Sequence, residues 1–257
     1  MNVLPWQQDA WQGLVQRRNN NGMPHATLVT GAAGIGKHHL SLVVAQWLLC
    51  QKPTNDGACH QCHSCHLWNA GNHPDFILCE PEEGSRQIRI DIIRRVNAFI
   101  AQTPQISPCQ VVVMRPVEVM NTNAANALLK TLEEPAGESF LLLETERFGS
   151  VLPTIRSRCQ RLTLGLPPIE LALQWLLSQG VVDTDARHAL QRCQGAPLKA
   201  LRWIKEGVGK TEGQLAEQLQ QWSTDNLPLE AIASKWVKHE FSELIAWWYQ
   251  LSCDLHK

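Results

Sequence analysis

The 257-residue sequence has no apolar run near the roughly 20 residues that a membrane-spanning helix needs. It also lacks an excess of charge, since 23 basic residues stand against 24 acidic ones. Its first residues, MNVLPWQQDAW, do not combine a basic head with an apolar core, the pattern of a secretory leader. These absences predict a cytoplasmic chain without membrane contact. Any contact with nucleic acid then has to come from a local basic face or from partner chains.

Disulfides are not expected in such a compartment, so the nine cysteines should be reduced, buried or bound to metal. Four of them crowd into residues 50–65: Cys50, Cys59, Cys62 and Cys65. Two C-x-x-C spacings with a fourth thiol can close a tetrahedral zinc site of structural type. Two alternatives stay open. One of the interleaved histidines, His60, His63 or His66, can replace a thiol, and the same run can hold an iron–sulfur cluster, although the usual fourth cysteine and proline do not follow.

Strand-like and helical patterns alternate through the first two thirds of the chain. The apolar runs ATLVT, DFILCE, VVVM and FLLLET read as strands, and helical periodicity marks residues 37–50, 90–102 and 122–134. Asp91 is expected to cap the second of these helices. Strands that alternate with helices predict an α/β fold with a parallel sheet covered on both faces. After Pro167 and Pro168, three short helices are expected near residues 169–179, 184–194 and 197–206, followed by a helical segment to the end.

The stretch GAAGIGKHHL follows the strand ATLVT directly and resembles a phosphate-binding loop. Gly31, Gly36 and Lys37 have the spacing of G-x-x-x-x-G-K-[ST], with Gly34 between them, but His38 stands where a hydroxyl should bind Mg²⁺. Mg²⁺ prefers oxygen ligands, so His38 is a poor substitute. The glycines and Lys37 are therefore expected either to bind a nucleotide or to form only a tight turn.

The acid that should hold the same metal ion is missing as well. It is expected at the end of the strand VVVM, where the chain has Arg115 and Pro116. An arginine beside Mg²⁺ replaces attraction by repulsion, at about 4 kcal/mol per unit charge pair at 4 Å near a protein surface. The sequence therefore predicts no metal-assisted hydrolysis at this loop.

Two later stretches are more specific. NTNAANALLKTLEEP, residues 121–135, and FLLLETERFGSVLPTIRSRCQRL resemble bacterial clamp-loader subunits of the AAA+ class, and the resemblance covers residues 1 to about 205. It implies an AAA+ P-loop-type domain at 1–166 with an inserted zinc module at 50–66, a three-helix lid domain at 167–207 and a shortened helical collar domain at 208–257. It also places the polar sensor at Glu144 or Thr145 and puts Leu198 where active relatives have an arginine.

The same resemblance implies that Arg158, in the SRC motif, is an arginine finger that points into the nucleotide site of a neighbouring subunit. The chain is then a non-hydrolysing member of an assembly with gamma/tau ATPase subunits and a delta subunit, which loads a sliding clamp on primed DNA. Its cofactor is structural zinc, and ATP binding is in doubt. An active gamma-type ATPase and a P-loop kinase remain alternatives; the kinase leaves the SRC motif and the zinc run unexplained.

Other features of the sequence leave their roles open. Glu133 and Glu134 end a helix, where negative charge opposes the helix dipole, so either a basic partner such as Lys130 offsets them or they form a contact between subunits. The tryptophans inside apolar helical patterns, such as Trp47 and Trp175, are expected in the core. Trp247 and Trp248 are expected to pack between subunits.

Overall fold

The computed structural model describes residues 2–208 and, beyond them, residues 213, 215, 217–220, 236, 245, 248, 249 and 252. Two compact units comprise residues 1–200 and 201–257. Most of the expected collar domain, including Trp247, lies outside the described residues, and the three domain boundaries stay a prediction. Within the described residues, no helix is long and apolar enough to cross a membrane.

Five strands form one sheet in the order β2–β3–β4–β1–β5, and every neighbouring pair is parallel. The strands are β1 (Ala26–Thr30), β2 (Phe76–Cys79), β3 (Gln110–Met114), β4 (Ser139–Thr145) and β5 (Gln160–Thr163). Because all five run in the same direction, their carboxyl ends meet at one edge of the sheet. The loop that follows β1 and the residues that follow β2, β3 and β4 therefore share that edge.

The described helices connect these strands and continue beyond them. They are α1 (Gln8–Asn19), α2 (Lys37–Leu49), α3 (His63–Asn69), α4 (Ile90–Ile100), α5 (Thr122–Glu133), α6 (Pro153–Arg156), α7 (Ile169–Ser178), α8 (Asp183–Arg192) and α9 (Pro197–Lys205). The predicted α/β architecture with a parallel sheet is confirmed. The helices expected after Pro168 are α7, α8 and α9, so this part of the prediction is confirmed too.

Helices cover both faces of the sheet, which explains why every residue of β1 and β3 is buried. Successive side chains of a strand point to opposite faces, so Val112 and Met114 of β3 join one apolar core while Val111 and Val113 join the other. Helices α4 and α5 pack in the first core, and α1 and α2 in the second. Trp47 is buried in the second core as predicted, whereas Trp175 is half-buried and packs edge-on against Trp6, with ring centroids 5.3 Å apart.

A buried polar network ties the cysteine-rich segment to the sheet. His73 Nδ1 accepts a hydrogen bond from the Asp75 backbone N–H, and His73 Nε2 lies 2.9 Å from Ser64 Oγ and 3.1 Å from Ser107 Oγ. The Asp75 carboxylate accepts three backbone N–H groups from residues 105–107. Burial lowers the pKa of His73, so the ring stays neutral. Because Nδ1 accepts a hydrogen bond, Nε2 carries the hydrogen, and the two serine hydroxyl oxygens can accept a hydrogen bond from it. Helix α3, which carries Cys65, is thereby fixed to the segment that leads into β3.

Candidate functional site

The glycine loop after β1 is closed against other parts of the same chain. The backbone N–H of Leu198 donates to the Gly34 carbonyl at 3.0 Å, so the start of α9 lies directly on the loop. Gly34 has φ +76°, and a Cβ there would lie 2.4 Å from Lys199 Cβ. Leu198, the residue expected in place of the lid arginine, therefore covers the loop with an apolar side chain and offers no charge to a phosphate.

The N-terminal segment closes the loop from another direction. Gln7, which is fully buried, donates through Nε2 to the carbonyls of Gly36 at 2.8 Å and Ile35 at 3.2 Å. Trp6 Nε1 donates to the same Ile35 carbonyl at 2.9 Å. A Cβ on Gly36 would meet Leu4 Cδ1 at 2.7 Å and Gln7 Nε2 at 2.8 Å. These contacts were not foreseen, because nothing in the spacing of residues 4–7 links them to residues 31–37.

Lys37 is turned onto its own loop. Its side chain is buried, and Nζ donates to the Ala32 carbonyl at 2.8 Å and lies 3.6 Å from Glu146 Oε1. In a working phosphate loop the lysine ammonium pairs with the terminal phosphates of the nucleotide. Here a carbonyl dipole and a carboxylate already compensate that charge.

The carboxyl edge of the sheet is rich in ion pairs. His38 Nδ1 lies 3.0 Å from Glu144 Oε1, and the Glu144 side chain is 5% exposed. Arg115, directly after β3, pairs with Glu80, directly after β2, through Nε and Nη2 at 2.6 Å each. Of the two positions proposed for the sensor, Glu144 is thus the one that contacts the residue in the place of the metal-binding hydroxyl.

Four acidic residues lie at this edge of the sheet, although the spacing of the sequence motifs does not predict them. A cavity of about 350 Å³ is lined by the acids Glu80, Glu118, Glu144 and Glu146 and by the cations Lys37, Arg115 and Arg147. Four acids against three cations leave no excess of positive charge to attract a polyphosphate. The acids also have internal partners: Glu80 pairs with Arg115, Glu146 pairs with Lys37, Glu144 contacts His38, and Glu118 accepts the Glu146 backbone N–H at 3.2 Å. Among the described residues, they form no group with metal-binding geometry.

Replacing Gly34 by alanine should show how closely the loop and α9 are packed. We expect Gly34→Ala to lower the free energy of unfolding by about 3 kcal/mol, because a left-handed backbone costs roughly 1–2 kcal/mol and overpacking about 1–3 kcal/mol more. Gly71→Ala is the matched control, since Gly71 has φ +73° but open space around its Cβ position. Urea unfolding midpoints should separate the two variants, and equal midpoints would contradict the close contact.

Arg158 lies between α6 and β5 and is held by its own subunit. Its Nε donates to Glu133 Oε1 at 2.6 Å, Nη2 pairs with the same carboxylate, and Nη1 donates to the Thr154 carbonyl at 3.0 Å and Ser157 Oγ at 3.3 Å. The side chain remains 31% exposed. The basic partner that the sequence analysis sought for Glu133 is therefore Arg158 rather than Lys130.

The four cysteines Cys50, Cys59, Cys62 and Cys65 come together as one group, and all four sulfur atoms lie within 4.8 Å of one another. Cys50 Sγ and Cys62 Sγ are 3.9 Å apart. Sulfurs at about 2.3 Å from a tetrahedral ion are separated by about 3.8 Å, so the group fits a metal ion of that kind. The group contains none of the three histidines.

The environments of the thiols also suit a metal ligand set. Backbone hydrogen bonds, first of all from the Gln61 N–H, lower the pKa of Cys59 to about 6. Burial raises the pKa of Cys50 and of Cys65, so these thiols lose their protons only when a nearby positive charge compensates them. The backbone N–H groups of Lys52 and Cys59 already point at Cys50 Sγ, at 3.4 and 3.3 Å, as donors to a thiolate.

Comparison with known proteins agrees with this arrangement. Residues 6–167 match the family model described as DNA polymerase III, delta subunit. The chain is 38% identical over 255 residues to DNA polymerase III subunit delta' of Pseudomonas aeruginosa, covering 98% of this chain and 75% of that protein. It is 34% identical over 202 residues to the subunit of the same name from Escherichia coli, covering 78% and 60%. The chain therefore spans about 60–75% of the length of these two relatives.

Among solved structures, a point mutant of RuvB from Thermotoga maritima matches with a TM-score of 0.52 at 12% identity, covering 91% of this chain and 70% of that one. A second RuvB mutant from the same organism matches with a TM-score of 0.50 at 13% identity, covering 92% and 69%. At such low identity these matches show the AAA+ fold alone. The fold, the family model and the relatives agree, and the chain belongs to the delta-prime family of DNA polymerase III subunits.

Proposed function

We propose that this chain is a non-hydrolysing clamp-loader subunit of the DNA polymerase III holoenzyme, which supplies Arg158 in trans to the nucleotide site of a neighbouring ATPase subunit. Its partners would be the gamma/tau ATPase subunits and the delta subunit, and the assembly would place a sliding clamp on primed DNA during replication. The chain is thus part of a nucleotidyltransferase complex and has no catalytic activity alone.

The observation that carries this proposal is the contrast between the two sites. At the glycine loop, Gln7 and Leu198 lie against the backbone of the loop. The charge of the Lys37 ammonium is compensated by groups of the same chain, and His38 contacts Glu144. Arg158, by contrast, is partly exposed on a short, well-anchored turn. A planar guanidinium in that setting can pair with the charge that develops on a transferred phosphoryl group. An active gamma-type ATPase would instead need a loop that is open to the nucleotide and a lysine ammonium that is free to pair with its phosphates.

We further propose that zinc is the ion at Cys50, Cys59, Cys62 and Cys65. Four thiolates suit zinc or an iron–sulfur cluster, but the sulfur separations fit a single tetrahedral ion. With four protein ligands the ion has no open position for substrate, so its role is structural. A colourless protein with about one zinc per chain distinguishes it from an iron–sulfur protein.

Phosphate release by the isolated chain tests whether the loop is inactive. With Mg²⁺ and ATP, we expect the wild-type chain and Lys37→Ala to release phosphate at the same background rate, because neither has a metal site beside the loop. Tight binding of a fluorescent ATP analogue is not expected either. Turnover by the wild-type chain that Lys37→Ala abolishes would contradict the proposal.

A further inference from the structure

We infer that Glu133 is a positioning residue for Arg158: its carboxylate fixes the orientation of a guanidinium that stays partly exposed and keeps one N–H of Nη2 available. The inference rests on the function proposed for Arg158 and adds a residue to it. Glu133 contacts no nucleotide in this account and acts only through the arginine.

Residues of the same subunit contact all three nitrogen atoms of the Arg158 guanidinium. Glu133 Oε1 pairs with Nε and Nη2, which share one edge of the planar group, while Nη1 is held by the Thr154 carbonyl and by Ser157 Oγ. A guanidinium has five N–H donors in a rigid fork. Nε, Nη1 and Nη2 all have partners here, but Nη2 has one acceptor for its two N–H groups within the described part of the chain. The remaining N–H of Nη2 is the donor that can meet an anion from outside.

Both partners stand on backbone that is fixed by burial. Leu132, next to Glu133, is 1% exposed, and its carbonyl lies 2.6 Å from His25 Nε2. Ile155, in the turn that carries Arg158, is 1% exposed in the same apolar core. The carboxylate therefore has a fixed position relative to the turn, and it removes much of the rotamer freedom of a long arginine side chain. Fixing a reacting group before the reaction lowers the barrier of the catalysed step.

Stability does not explain the pair. The Glu133 side chain is 48% exposed, and exposed ion pairs contribute little to folding. A carboxylate at the C-terminal end of α5 also opposes the helix dipole. The adjacent Glu134 is exposed too, and the structure gives its carboxylate no ion pair within the described residues. Glu134 is therefore a matched control for Glu133, because both are exposed glutamates at the end of α5 and only Glu133 contacts Arg158.

The test is single-turnover ATP hydrolysis at the neighbouring site of the reconstituted clamp loader with wild-type chain, Glu133→Ala, Glu134→Ala, Arg158→Ala or the double variant Glu133→Ala/Arg158→Ala. We expect Glu133→Ala to lower the hydrolysis rate at the neighbouring site by about two- to fivefold, the range for loss of one exposed charged contact. KM for ATP and the thermal midpoint should be nearly unchanged. Glu134→Ala should match wild type, and Glu133→Ala should cause no further loss when Arg158 is already absent.

The outcomes separate the two proposals. If Arg158→Ala itself leaves the rate unchanged, the proposed function fails. If Arg158→Ala lowers the rate but Glu133→Ala equals wild type or is faster, only the role of Glu133 is overturned. An equal loss for Glu133→Ala and Glu134→Ala, or an additive loss in the double variant, would also overturn it, because the effect would then not pass through Arg158.

Discussion

Arg158→Ala is expected to slow ATP hydrolysis at the neighbouring site of the assembled clamp loader by about 10³- to 10⁵-fold, the range for loss of an arginine finger. The reason is electrostatic: in the proposed role the guanidinium stabilises charge that develops on the transferred phosphoryl group, and alanine offers no such charge. The ATP hydrolysis rate of the whole assembly should fall by a smaller factor, because only the site that Arg158 contacts is slowed.

Arg156→Ala is the control for this substitution. Arg156 lies two residues earlier, on α6, and its guanidinium stacks over the Phe148 ring at 5.1 Å. It is thus a basic residue of the same turn with a partner inside the subunit. Single-turnover hydrolysis should show a large loss for Arg158→Ala and little for Arg156→Ala. Equal rates for the two variants would mean that general positive charge, not a finger, is what this turn supplies.

Removal of the zinc proposed at the four cysteines is the second change with a large expected effect. Structural zinc in small modules has apparent binding free energies of about 10–16 kcal/mol, and that energy stabilises the fold around it. The segment at 50–66 has little apolar core of its own, so a strong chelator should expose it to proteases and raise hydrogen exchange in α3. The sheet domain should remain folded, since its two apolar cores do not depend on the cysteines' ion.

Cysteine variants make the same test without a chelator. Cys62→Ser should reduce the zinc content from about one per chain to near zero. Cys109→Ser should leave it unchanged, because Cys109 is buried outside the group and donates to the Leu48 carbonyl. Retention of zinc in Cys62→Ser would show that the four thiols are not the ligand set.

The features that the sequence revealed correctly are those encoded over short distances. Cys59, Cys62 and Cys65 are three residues apart, and apolar runs of five residues such as ATLVT mark buried strands. The local sequence pattern did not predict the N-cap of α4 correctly, because several neighbouring residues can begin a helix. Asp91 was expected to cap α4, but that prediction is wrong: Arg89 is the N-cap, and Asp91 lies in the first turn and pairs with Arg94 at 3.1 Å.

The contacts that close the glycine loop could not be predicted, because they join residues far apart in the chain. Gln7 contacts the loop across about 29 positions, and Leu198 across more than 160. The acids at the carboxyl edge did have a signal. Glu80 is the last residue of the strand-like run DFILCE and Glu146 directly follows the run FLLLET, and the ends of parallel strands meet at one edge. Glu133 and Arg158 lie in the two most specific motifs, but only the fold shows that they touch.

In the proposed function this chain is inactive at its own loop and acts on a neighbouring subunit through Arg158. The most direct measurement is single-turnover ATP hydrolysis by a gamma-type partner subunit as this chain is added in increasing amounts with the other members of the assembly. The wild-type chain is expected to accelerate hydrolysis until one chain is bound per assembly, whereas Arg158→Ala should assemble equally well without accelerating it. Acceleration by Arg158→Ala equal to that of the wild type would contradict the role proposed for Arg158.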